Sequence, residues 1–213
     1  MRGISRNCRA FVSIALAAIV NTAVATEFAP DVAAKIRSVA ESSLQSKLAD
    51  RAGGGIKSIG TAPAVQIAVP DDLKGVLRFI GVTRLPAKDG DALADAQFLR
   101  YEDDTLFQVV VDLRTMAVDD VFAIRGANPR LSVEEVREAE QLVRFSSEGQ
   151  QILRRLPADV MLDFVATGVG TSGHALAGHR LLRVLFHSQR QYFSTGPLYV
   201  DLSIRTVFRE IRR

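Results

Sequence analysis

Three histidines, His174, His179 and His187, are the only ones in the 213-residue chain, and they sit close together in sequence. A metal site needs such ligands to converge on one point. If residues 180–187 form a strand, His179 and His187 lie ~26 Å apart at about 3.3 Å per residue and cannot share an ion. His174 and His179 can meet across a loop, but two imidazoles with no acid or cysteine beside them in sequence make a poor site. Just upstream, Gly168-Val169-Gly170-Thr171-Ser172-Gly173 matches the spacing of a dinucleotide-binding turn. There, glycines allow the backbone to approach a pyrophosphate at a helix N-terminus. The ribose-binding acid would be Asp201, which comes 28 residues after Gly173, where about 20 is the usual interval. Too little chain follows to complete a doubly wound sheet, so the segment reads as a glycine-rich hairpin loop.

Asp112 and Asp201 are the remaining pair that could share acid–base work. Each ends a strand-like run before a turn, where an aspartate commonly accepts hydrogen bonds from its own backbone. Glu102, Asp103 and Asp104 read as a hairpin tip; they lack the ligand spacing and central glycine of a calcium loop. No Gly-x-Ser-x-Gly elbow is present, and the single cysteine is Cys8. The sequence therefore nominates no catalytic, cofactor-binding or metal-binding residue, and the expected class is a non-enzyme.

The N-terminus carries a different kind of signal. Arg2, Arg6 and Arg9 precede an apolar stretch, Phe11 to Val20, and then Ala23-Val24-Ala25. Basic, apolar and small-residue zones in this order predict a secretory signal peptide over residues 1–25. The apolar run is shorter than the roughly 20 residues that span a bilayer. Cys8 lies too early to be a lipidation site at the cleavage point. The arginines are unpaired, which favours the general secretory route. The whole chain has 27 basic and 24 acidic residues; removal of three arginines leaves 24 of each. A neutral mature chain lacks the footprint of a phosphate-backbone binder, so nucleic acid is not an expected partner. The last arginines, Arg205, Arg209, Arg212 and Arg213, read as a solvated basic end. Without Cys8 the mature chain has no disulfide and must rely on an apolar core, for which 47% hydrophobic residues suffice. No later segment is apolar and long enough for a membrane-spanning helix. Asn7, Asn21 and Asn128 all lack the Asn-x-Ser/Thr context, which favours a bacterial periplasm.

The elements that would hold any site come in two sets. Val32, Ile36, Val39, Ala40, Leu44 and Leu48 form one stripe of a helix expected over 31–51, capped by Asp31 and stopped by Gly53-Gly54-Gly55. Ser132 and Glu135 form a capping box for a second helix, with Leu131 and Val136 as its staple. Its predicted apolar face is Val133, Val136, Ala139, Leu142 and Val143. Strand-like runs follow each helix: 75–84, 97–101, 106–113 and 118–125, then 159–167, 180–187, 198–202 and 206–211. Val111-Asp112-Leu113 and Val118 reappear as Val200-Asp201-Leu202 and Val207. Val76-Leu77-Arg78-Phe79 and Leu181-Leu182-Arg183-Val184 also look alike, if the first copy holds an insertion near 85–96. The expected fold is α+β: tandem duplicated units over 26–127 and 128–213, each one helix packed on a three- to four-stranded antiparallel sheet.

Leu131 to Val136 with Ala139, the 180–186 run and Leu198-Tyr199-Val200-Asp201-Leu202 resemble the small N-terminal domains of copper amine oxidases. That family carries two such modules in tandem, each a helix on a curled antiparallel sheet. Its catalytic half has no counterpart here. The family's quinone forms from a tyrosine in an Asn-Tyr-Asp/Glu setting and its copper binds a His-x-His pair, and neither pattern occurs. The resemblance implies a non-catalytic accessory or protein-interaction module with another protein as partner, a detached regulatory role or a repurposed binding module; the signal pattern makes it an exported one. The alternative is a periplasmic carrier of a small apolar ligand or lipid, which would need an enclosed apolar cavity of roughly 300 Å³ or more.

Overall fold

The computed structural model describes residues 28–50, 55–60, 62, 64–85, 92–168, 174–189 and 191–209. The signal segment, and most of the glycine loop at 168–173, lie outside them. Among the described residues the fold is mixed α and β, with three α-helices and two five-stranded sheets.

The first helix, α1 (Pro30–Ala49), starts one residue earlier than expected. Pro30 takes the first helical position, where its missing N–H costs nothing. Ala29 is the cap residue, so Asp31 lies in the first turn and complements the helix dipole instead of capping. Ile36, Ala40 and Leu44 are buried on one stripe. They pack on a sheet built from β1 (Lys57–Ile59), β2 (Leu77–Arg84), β3 (Leu93–Arg100), β4 (Thr105–Asp112) and β5 (Ala117–Arg125), in the order β1-β5-β4-β3-β2. β2 to β5 form an antiparallel meander; β1, which no sequence pattern announced, pairs parallel to β5. Alternate residues Ala94, Ala96 and Phe98 of β3, and Phe107, Val109 and Val111 of β4, meet α1 with Phe28 in one core.

The second helix, α2 (Val133–Phe145), has the predicted capping box in full. The Glu135 N–H donates to Ser132 Oγ at 3.1 Å, and the Ser132 N–H donates to Glu135 Oε2 at 2.9 Å. Ala139 and Val143 are buried, but Val133, placed on the apolar face by the sequence pattern, is 62% exposed. A short third helix, α3 (Ser147–Leu153), is capped by Ser146. Only glycine fits at 149, since a Cβ there would lie 1.9 Å from the Val143 carbonyl oxygen. The second sheet comprises β6 (Met161–Thr167), β7 (Leu181–Ser188), β8 (Gln191–Phe193), β9 (Tyr199–Asp201) and β10 (Thr206–Phe208). Its order is β10-β9-β7-β6, with β8 also pairing β7.

Antiparallel strands thus follow α1 and the α2–α3 pair alike, and two hairpins match in detail. β4 turns into β5, and β9 into β10, with Asp112 opposite Ala117 and Asp201 opposite Thr206. The fourth residue after each aspartate is left-handed: Met116 at φ 53° and Arg205 at φ 52°. The neighbouring strands set the correspondence differently from the sequence pattern. Leu93 pairs with Asp112 and Leu181 pairs with Asp201, so β7 stands where β3 does. Arg78 lies on the edge strand β2, whereas Arg183 lies on the central strand β7. No insertion near 85–96 is needed on this alignment; that region holds the β2–β3 connection and the first part of β3.

The second core contains Ala139, Val143, Phe164, Leu182, Val184, Phe186, Val200 and Leu202. It also takes Ile80, Leu99 and Leu106 from the first sheet, and Tyr101 from the 3-10 turn between β3 and β4. The two units therefore share apolar surface across the 127/128 division.

Candidate functional site

α2 carries two glutamates one turn apart, and both are claimed by arginines from elsewhere. Glu135 is fully buried and Arg180 is 6% exposed. Arg180 donates from Nε to Glu135 Oε1 at 2.9 Å and from Nη2 to Oε2 at 3.1 Å, a two-pronged pairing. The Tyr101 hydroxyl donates to Glu135 Oε1 at 2.9 Å. Arg180 uses two further donors on Asn128 Oδ1 and the Arg130 carbonyl, at 2.9 and 3.1 Å. The pair thus ties α2, the end of the first sheet, the 128–130 connection and the start of β7 into one buried knot. Burial and the adjacent carboxylate drive the Tyr101 hydroxyl pKa far above its ordinary value, so it remains a donor.

Asp104 lies at the same junction. It adopts φ 49° in the turn before β4, and its Cβ faces Gly178, where a side chain would crowd both it and Val65. Burial pushes its carboxyl up to about 7, against the opposing pull of Arg180. On the first sheet, Asp95 is 5% exposed and accepts from Gln97 Nε2 at 2.7 Å and Gln108 Nε2 at 3.3 Å. Burial raises its pKa as well.

Glu138 is held differently. Arg78 Nη2 lies 2.8 Å from its Oε2 and Arg205 Nε lies 2.7 Å from its Oε1, and Arg205 also pairs with Asp72. Arg78, Glu138 and Arg205 line an open groove of about 740 Å³ together with Glu134, Arg137, Gln141, Leu142, Phe145 and Val207. Phe145, at the end of α2, is 83% exposed. The groove therefore offers an exposed aromatic ring beside Glu138, Arg78 and Arg205, which pair with one another within the chain. Arg205, expected in a solvated basic end, is instead an ion-paired wall of this groove.

The residues weighed and set aside in the sequence fall elsewhere. Asp112 and Asp201 are on different sheets, and each serves its own turn. Asp112 Oδ1 accepts from the Arg114 and Thr115 N–H groups at 2.7 and 3.2 Å, and Asp201 Oδ1 accepts from the Ser203 N–H at 2.9 Å. The histidines do not converge. His174 Nδ1 accepts from the Leu176 N–H. His179 Nδ1 lies 2.5 Å from Asp201 Oδ2, with Asp201 fully buried. His187 Nε2 lies 3.2 Å from Asp163 Oδ2. Two histidines therefore do have an acid beside them, contrary to the sequence reading, though each has one only. Among the described residues no group of three or more metal-ligating side chains occurs. Glu102 and Asp103 lie in a 3-10 turn at the β3–β4 tip as expected. The tip is braced by Arg100, whose Nε and Nη2 donate to Asp103 at 2.9 and 2.6 Å. Sequence reasoning missed the Glu135–Arg180 pair, because its members are 45 residues apart and only Glu135 carries a local signature.

The sequence matches no protein-family model and no curated protein.

Proposed function

We propose that this is an exported, non-catalytic protein-interaction module of the kind seen in the N-terminal domains of amine oxidases, with another protein as its partner and the groove along α2 as its contact surface. The observation that carries this reading is Phe145. A large ring that is 83% exposed beside Leu142 and Val207 is the kind of anchor that binding interfaces bury. Because Glu138 already pairs with two of the groove's arginines, Arg78 and Arg205, docking there depends mainly on apolar burial. The α2 groove and a second groove, lined by Pro157, Ser188, Gln189, Gln191 and Phe193, are open to solvent, which favours a contact surface over the enclosed cavity of a ligand carrier.

The two units are read as copies of one ancestral unit. The shared order of helix then antiparallel strands, and the matching Asp112 and Asp201 hairpins, support that reading. Export rests on the 1–25 pattern. Phe28, buried under α1 against the Arg84 guanidinium, is a core residue three positions beyond the expected cleavage point, so cleavage would leave this packing intact. Fractionation of producing cells followed by N-terminal sequencing tests export directly: the expected product is extracytoplasmic and begins Thr26-Glu27-Phe28. An intact Met1 on extracytoplasmic protein would overturn it.

A further inference from the structure

The sheet edges are not equally protected. β1 and β10, at the outer ends of the two sheets, have three residues each. β2 is longer, but its register breaks between Phe79 and Gly81. The Arg130 guanidinium lies over Gly81, and Arg78 is tied to Glu138 of α2. Bulges and charged covers of this kind are how natural sheets block unwanted pairing. β6 has no such device. Its seven residues run in unbroken register with β7, contain no Lys, Arg or Pro, and expose Met161 and Val165 at 48% each. Its other side pairs with no described strand.

We propose that β6 pairs antiparallel with β6 of a second copy about a two-fold axis at Phe164, joining the two second sheets into one. The strand's own pattern selects this register. Only an axis at Phe164 pairs all seven residues. It sets Met161 against Thr167, Leu162 against Ala166 and Asp163 against Val165. Core-facing Leu162, Phe164 and Ala166 then continue over core-facing residues, since opposite residues share a face. An axis at Asp163 would set two carboxylates directly opposite each other, and a one-residue slip would turn apolar residues to the wrong face. The single charge, Asp163, is already engaged by His187. The interface is isologous, as a two-fold requires. None of the residues lining the α2 groove belongs to β6, so the paired strands are distinct from the proposed contact surface.

The test uses the full chain in a Cys8→Ser background. Asp163→Cys and Val165→Cys are prepared separately, then mixed and oxidised. The expected result is a disulfide-linked dimer from the mixture, because these positions face each other across the axis, and little from either variant alone, whose cysteines stand on a diagonal beyond bridging distance. In sedimentation velocity the unmodified chain should dimerise with rising concentration. Val165→Lys, at a site already half exposed, should weaken that dimer at least tenfold while leaving the thermal midpoint of the monomer unchanged. A chain that stays monomeric at every concentration reached, a Val165→Lys dimer as tight as the parent, or cross-linking of either single variant as efficient as the mixture would overturn the proposal.

Discussion

Glu135 and Glu138 sit one turn apart on the same helix, and each is bound by arginine, yet they do different work. Glu135 is sealed with Arg180, Tyr101 and the helix cap, with all its partners buried or nearly so. Glu138 keeps 17% of its side chain in water, and its partners Arg78 and Arg205 keep 22% and 35%. The first carboxylate fixes α2 against the start of β7 within the second unit, with the Tyr101 hydroxyl reaching it from the first, because a buried charge is destabilising once it loses its partner. The second shapes a groove wall that solvent already screens. The lesson is that burial, not the number of ion pairs, separates what holds the fold from what decorates its surface.

The largest effect should come from breaking the sealed pair. Arg180→Ala leaves Glu135 buried without its counter-ion and should cost about 3–5 kcal/mol in urea denaturation. A double variant, Glu135→Leu with Arg180→Met, should recover part of that loss, since neither charge is then stranded. A loss below about 1 kcal/mol for Arg180→Ala would mean that the knot is as solvated as the groove. Removing only the cap is milder: Ser132→Ala should cost about 1 kcal/mol, and an unchanged midpoint would separate the cap from the knot.

The junction also makes a pH prediction. The Asp104 carboxyl is raised to about 7, and that of Asp95 is raised too, so folding favours their protonated forms. Their contribution to stability is complete below the ordinary carboxylate range and is lost as pH rises through the raised values, near 7 for Asp104. Asp104→Asn, which suits the left-handed φ of that position, should raise the melting temperature at pH 8 and flatten its fall between pH 5 and 8. An unchanged profile would place Asp104 in water. The smallest effect belongs to the groove. Glu138→Gln should change stability by less than about 1 kcal/mol, and less still in high salt; a loss matching that of Arg180→Ala would erase the distinction between the two glutamates.

What the sequence disclosed follows the same division between local and distant. The Ser132–Glu135 box was legible because both members lie within one helical turn, and the turn roles of Asp112 and Asp201 were legible because each aspartate bonds backbone two or three residues on. The meander strands were found from alternation, although β3 begins four residues before the expected 97. Three-residue strands such as β1 and β8 carry no period to read. Val133 fits the apolar spacing of α2 but faces solvent, because the buried stripe runs through Glu135, Ala139 and Val143. A charged residue at the centre of a core is what an apolar pattern cannot announce. Nothing local linked Arg180 to Glu135, or His179 to Asp201 across 22 residues; both pairs exist only once β7 is laid against its neighbours.

The interaction reading depends on Phe145 being an anchor and not merely an exposed ring. A photo-reactive amino acid at position 145, introduced in producing cells and irradiated in place, measures this directly. The account predicts a discrete adduct with one other protein at 145, reduced only modestly between low and moderate salt, and no matching adduct from the exposed position 45 on α1. No adduct at 145, or the same adducts from both positions, would contradict it.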